Sequence, residues 1–368
     1  MSNFTSSTRA ILASGIGFFL LGGAGAFAET RTYYAAAEEV EWDYAPEGQD
    51  LMMGMAFSED QKVFVEPGPS RIGSVYHKIR YIGYTSADFS QKTQVTDPST
   101  GILGPIIHAE VGDRIEFVLK NNSTIPVSAH PHGVFYEKAF EGAMTNDGTS
   151  GADKADDAIA PGDTFTYIWE VPERAGPGPN DPSSLVWLYH GHVQSIADTN
   201  SGLVGAIVVT ARGMANPDGT PKDVDREVFS FFSVMNENES HFLDDMVAKL
   251  PEPPAEDDAD DFEESNLMHA INGYVYGNMP MPQMHVGERV RWYLMSLGTE
   301  VDLHTPHWHG NTVLANGNRK DVVELLPATT LVSDMVPDAA GIWMYHCHVN
   351  DHIAAGMTGR YEVLPAKK

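Results

Sequence analysis

Residues 343–357 read WMYHCHVNDHIAAGM and hold the chain's one cysteine, Cys347, between His346 and His348, with His352 and Met357 just beyond. A lone thiol cannot form an internal disulfide, so a reactive or metal-bound thiol is the chemistry its neighbours suggest. The H-x-H spacing recurs four times, as His130 and His132, His190 and His192, His307 and His309, and His346 and His348. On a strand, residues i and i+2 share a face, so each pair can aim two rings at one point.

The pairs lie in two similar halves. AHPHG (129–133) is echoed by PHWHG (306–310), and WLYHGHVQSIADTNSGLVGAIVV (187–209) by WMYHCHVNDHIAAGMTGRYEV (343–363). Two copies of one β-domain follow, the first over residues 29–215 and the second over 216–368. Cys347 aligns with Gly191, His304 with Val127 and His352 with Ile196. Met357 falls near Leu203 once a two-residue insertion is allowed. The residues missing from the first copy are two His, one Cys and one Met, and they vanish as a set, which implies that they work as a set. Two imidazoles, a thiolate and a weak axial thioether are the ligands of a blue-copper electron-transfer site. Zinc prefers closed Cys/His sites and has no use for the thioether. The eight paired imidazoles would hold three more coppers, about four per chain in all. Electrons taken in at Cys347 could then reach a cluster through its two chain neighbours and reduce dioxygen to water.

The elements that position these residues are strands. DRIEFVLKN (113–121), DTFTYIWEV (163–171), GLVGAIVVT (202–210) and ERVRWYLMS (288–296) are short, rich in β-branched and aromatic residues, and bounded by Gly, Pro, Asn and Asp. Long helical periodicity is absent, so the pattern suits all-β sandwiches or barrels. Arg9, an apolar run from Ile11 to Phe27 and the closing Ala26-Phe27-Ala28 read as a signal peptide over residues 1–28. No later run reaches the roughly 18 apolar residues of a spanning helix. The expectation is a secreted or periplasmic protein with no membrane anchor after cleavage. A net charge of −28 excludes nucleic acid and anionic membranes as natural partners. Eight acidic residues in PEPPAEDDADDFEES (251–265) read as a solvated loop, with cation steering the other use.

On these motifs the chain resembles the multicopper oxidases, specifically the small two-domain kind built from cupredoxin-like Greek-key β-sandwich domains. The resemblance implies His304, Cys347, His352 and Met357 as type 1 copper ligands. It implies His130 and His307 as the type 2 pair, and His132, His190, His192, His309, His346 and His348 as the type 3 set. It also implies a homotrimer, with each cluster between the first domain of one chain and the second domain of the next. DFEESNLMHAINGYVYGN (261–278), MHVGERVRWYLMSLGTEVDLHT (284–305) and HCHVNDHIAAGM (346–357) are similar to ceruloplasmin-like ferroxidases. That likeness implies an Fe(II) site of Glu264, His269 and Asp351, completed by Glu300 from the neighbouring unit. Asp147, in MTNDG, matches a carboxylate kept near the cluster that could deliver protons, and it reads equally as an Asp-Gly turn. The other readings are a laccase-like oxidase of phenols or aromatic amines, a Cu(I) or Mn(II) oxidase, and a copper-binding electron shuttle. Met279, Met281, Met284 and His285 could form a soft Cu(I) site, but they read more simply as a turn with packed methionines, as do Met52, Met53 and Met55. His77, His108 and His241 carry no partner pattern.

Overall fold

The computed structural model describes residues 29–367, so the expected export segment, 1–28, lies outside the described residues. Residues 30–210 form two four-stranded sheets. One runs in the order Val75–Tyr84, Thr30–Asp43, Arg114–Asn121, Thr164–Glu170, and the other Ile107–Glu110, Val204–Thr210, Ser184–His190, His130–Pro131. They close on each other as a sandwich: Ile115, Phe117, Leu119 and Trp169 of the first sheet share one core with Ile107, Tyr189 and Ile207 of the second.

Residues 226–364 repeat the plan. A six-stranded sheet contains Arg226–Asn236, Val290–Ser296 and Thr330–Met335, and a four-stranded sheet runs Gln283–His285, Thr358–Leu364, Gly341–Cys347, Pro306–Trp308. The internal repeat is visible in the strand registers. Thr30–Asp43 pairs parallel with Arg114–Asn121, and Arg226–Asn236 pairs parallel with Val290–Ser296. His130 lies opposite His190 in the first half, and His307 lies opposite His346 in the second. The four segments read as strands from sequence are strands here, within two residues at each end.

Several strands are apolar on both faces, which the two-layer plan alone does not require. In Val204–Thr210, Ile207 and Val209 point into the first sandwich. Val204, Ala206 and Val208 point the other way, into a shared core with Phe229, Phe231, Tyr293 and Met295 of the second half. Those strands alternate in turn, sending Val228, Trp292 and Leu294 into the second sandwich. Each large side chain so buried contributes about 1.5–3 kcal/mol. The two halves are therefore joined through a continuous apolar layer.

Helices are short, and none among the described residues is long and apolar enough to cross a membrane. Met279 and Met284 are buried in the second core. Met53 and Met55 are not packed as expected: they stand 70% and 56% exposed. The reason is local. The Asp50 carboxylate accepts from the Met52 and Met53 N–H groups at 2.8 and 3.2 Å, so backbone bonds hold this turn and its side chains face outward.

Candidate metal centre

Cys347 ends the strand Gly341–Cys347, and His352 and Met357 follow it around the short helix Asn350–Ala354. His304 reaches the same point from a bridge with Leu325, their backbone groups bonding both ways at 2.9 and 3.0 Å. The Cys347 Sγ lies 3.5 Å from His352 Nδ1 and 4.0 Å from His304 Nδ1, and the two Nδ1 atoms are 3.2 Å apart. Met357 is buried in the same core as Cys347, tied to it by the Cys347 N–H to Met357 carbonyl bond of 3.1 Å. His304 Nε2 lies 3.3 Å from the buried Asp302 Oδ1, so a metal on Nδ1 would leave the ring proton on Nε2, facing that carboxylate. Burial alone would push the Cys347 thiol up. Hydrogen bonds to His304, His352 and the Thr305 and Val349 backbone outweigh it and lower the thiol to about 6. A low-pKa thiol and two imidazole nitrogens, all buried within 4.8 Å of one another, fit copper.

The H-x-H histidines form two groups, one in each half. In the first, His130, His132, His190 and His192 have ring centroids 5.1–5.7 Å apart. In the second, His307, His309, His346 and His348 lie 4.8–5.4 Å apart. Among the described residues, no ring contact joins the two groups. Backbone carbonyls take the Nδ1 protons: His130 donates to Glu141 at 2.7 Å, His190 to Gly191 at 2.9 Å and His346 to Cys347 at 2.6 Å. The Nε2 atoms are thereby freed to converge, His132 on His190 and His309 on His346, each at 3.1 Å. Burial lowers His132 and His346 to about 4 and His190 to about 3, so these rings are neutral at pH 7, the form a metal requires.

Two family profiles, each described as multicopper oxidase, match residues 81–213 and 249–367, together more than half of the chain. The chain belongs to the multicopper oxidases. Copper is therefore the cofactor of the family, and the donor sets above fit it. The chain is 45% identical over 350 residues to Ferroxidase HEPHL1 of Mus musculus, covering 94% of this chain and 30% of that protein. It is 40% identical over 340 residues to Ceruloplasmin of Mus musculus, covering 90% of this chain and 32% of that protein. It thus spans about a third of the length of the curated relatives it matches. A solved structure titled Multicopper Oxidase mgLAC is similar with a TM-score of 0.58 at 18% identity, covering 93% of this chain and 89% of that one, a likeness of fold.

The remaining predicted residues of this multicopper oxidase are His269, Asp351, Glu264, Glu300 and Asp147. The His269 ring lies 5.2 Å from that of His352, with Phe64 packed 6.1 Å away. Burial lowers His269 to about 4, and its Nδ1 donates to the Leu267 carbonyl at 3.0 Å. Asp351 is exposed on the helix that carries His352. Glu264 is exposed in the helix Ala259–Ser265 and lines a cleft of about 320 Å³ with Arg71, Asp258 and Asp261. Glu300 is exposed in the loop before His304. Among the described residues, these four do not form a cluster of donor atoms within 4.8 Å. Asp147 closes a turn, accepting from the Thr149 N–H at 2.9 Å and its hydroxyl at 2.6 Å, and pairs with Lys138 at 3.1 Å and Lys154 at 3.3 Å. Those hydrogen bonds and cations hold its carboxyl far below the usual range.

Two residues escaped the sequence reading. Asp302 could have been found, since it stands two residues before His304 on the same face. His241 could not: its Nε2 meets the buried Asp198 Oδ1 at 2.7 Å, and the two are 43 residues apart in the chain.

Proposed function

We propose that this chain is a secreted or periplasmic ferroxidase that couples one-electron oxidation of Fe(II) to four-electron reduction of dioxygen to water. Each turnover takes four electrons from four Fe(II) ions and four protons from water, and releases Fe(III) and two waters. Bound copper supplies the one-electron redox chemistry, with His304, Cys347, His352 and Met357 as the type 1 set, His130 and His307 the type 2 pair, and His132, His190, His192, His309, His346 and His348 the type 3 set. The protein's part is to keep His132, His190 and His346 neutral by burial, to orient His304 through Asp302, and to place His346 and His348 one peptide from Cys347.

The observation that carries the iron reading is the packing of His269 on His352, with Asp351 bonded directly to His352 in the chain. Relatives named ferroxidase and ceruloplasmin support it. Glu264, His269 and Asp351 supply hard anionic donors and one imidazole, which favour Fe(III) over Fe(II) and make Fe(II) the better electron donor. Glu300 of a neighbouring copy completes the set. Two separate histidine groups within one chain support a homotrimer in which the first domain of one copy, 29–215, meets the second domain of the next, 216–368. An export segment over residues 1–28 fits a chain with one cysteine and a large negative charge.

The test is oxygen uptake by copper-loaded enzyme with Fe(II) and with a simple phenol, for wild type and Glu264→Ala. We expect the higher kcat/KM with Fe(II), and a variant that loses iron turnover while keeping its phenol turnover. A phenol preference that the substitution leaves unchanged would make this a laccase-like oxidase.

A further inference from the structure

The carbonyls that take the Nδ1 protons of His130, His190 and His346 each belong to a peptide whose own N–H is hydrogen-bonded further on. For His190 the peptide is Gly191–His192, and its N–H donates to the Ser128 hydroxyl at 3.0 Å. For His346 it is Cys347–His348, and its N–H donates to the Thr305 carbonyl at 2.9 Å and to the Thr305 hydroxyl at 3.1 Å. For His130 it is Glu141–Gly142, and its N–H donates at 2.8 Å to a carboxylate, Asp156 Oδ2. Two relays thus end on neutral oxygens, and one ends on an acid.

Asp156 is fully buried. Its Oδ1 has no hydrogen-bond partner among the described residues. A buried carboxyl that leaves one oxygen unsatisfied is costly to keep. Nor is its position loose. The Tyr167 hydroxyl donates to the Asp156 carbonyl at 2.7 Å and accepts from the N–H of Ala129, beside His130, at 3.2 Å. Gly142 adopts a positive φ of 68°, and a Cβ there would collide with the Ala129 carbonyl, so only glycine brings this N–H to the carboxylate.

We propose that Asp156 is a positioning residue for the type 2 copper, acting on His130 through the Glu141–Gly142 peptide. Its charge polarises that peptide, strengthens the Glu141 carbonyl as an acceptor of the His130 Nδ1 proton, and makes Nε2 the stronger donor to copper. The inference rests on the assignment of His130 to the type 2 pair. No proton or electron is transferred along the relay.

Asp156→Asn keeps an acceptor for the Gly142 N–H and removes the charge. In copper-loaded full-length enzyme it is expected to shift the type 2 EPR signal and to release type 2 copper to a chelator about tenfold more readily. The blue absorption of type 1 copper in the same sample stays as in wild type. Tyr167→Phe removes the pin and keeps the charge, so it lowers thermal stability and leaves the type 2 signal in place. An unmoved signal and unchanged chelator sensitivity in Asp156→Asn overturn the proposal. So does a Tyr167→Phe variant whose signal moves as far, since the role is then merely structural. Should Asp156→Asn fail to fold, the wild-type enzyme decides. Spin-echo modulation from the remote nitrogens of the type 2 ligands must resolve two inequivalent imidazoles, and a single coupling overturns the relay. A wild type with no type 2 signal overturns the copper assignment together with the relay, whereas a wild-type signal unmoved by Asp156→Asn overturns the relay alone.

Discussion

The two sandwiches carry the same backbone frame around different side chains. Cys347 N–H bonds the Met357 carbonyl at 3.1 Å, and Gly191 N–H bonds the Leu203 carbonyl at 3.0 Å. Met357 N–H bonds the His352 carbonyl at 2.8 Å, and Leu203 N–H bonds that of Asp198 at 3.0 Å. His304 pairs both ways with Leu325 as Val127 does with Ile159. The counterpart of His352 is therefore Asp198, not the Ile196 that the sequence alignment suggests. The two extra residues lie before the helical turn, between His192 and Asp198, and Ile196 is pushed out to 66% exposure. In the second sandwich the frame converges a thiol and two imidazoles. In the first, the Asp198 carboxylate turns to the N–H groups of Val193 and Gln194, at 2.8 and 3.1 Å, and to His241. The difference teaches that the frame is indifferent to metal. Under the proposed function, four side chains decide which half receives electrons.

That comparison can be broken from the first half. Asp198→Ala leaves His241 and two N–H groups without their acceptor, and should cost about 3–5 kcal/mol of stability. The blue absorption should be unchanged, because Cys347 is in the other sandwich. Denaturant unfolding and a visible spectrum check both, and a lost blue band would mean that the halves are not independent. A smaller effect is expected at Gly191, where an added Cβ would lie 2.7 Å from that of Asp198. Gly191→Ala should destabilise by about 1–3 kcal/mol through overpacking, read as a lower unfolding midpoint. A neutral result there would mean that the first half could take back a cysteine without first losing Asp198.

Acid sharpens the comparison further. Burial lowers His132 and His346 to about 4 and His190 to about 3, against about 6.5 in an unfolded chain. Between those values the unfolded state binds more protons, so the stability these neutral rings contribute is present above pH 6.5 and lost as pH falls towards 4. Metal-free protein should lose stability across that window in calorimetry. A flat profile would contradict the buried, neutral histidines.

Much of this was legible in the sequence. The strands were, because both-face apolar segments such as Val204–Thr210 still read as β-branched runs. The clustering of the candidate ligands was, because four H-x-H pairs and one flanked cysteine have a spacing that packing alone does not produce. The place of Asp198 was not, since only backbone hydrogen bonds tell on which side of a turn two residues were inserted. His241 and Asp156 were not, because the groups they serve are brought to them by tertiary contact. Met53 and Met55 misled for a related reason: a backbone-held turn frees its side chains from the core.

The central claim is that type 1 copper sits in the second sandwich alone, on Cys347. Copper content and visible absorption of loaded wild type and Cys347→Ser test it most directly. About four coppers per chain with a blue band are expected in wild type, and about three with no blue band in the variant. A blue band that survives the loss of Cys347 would contradict it.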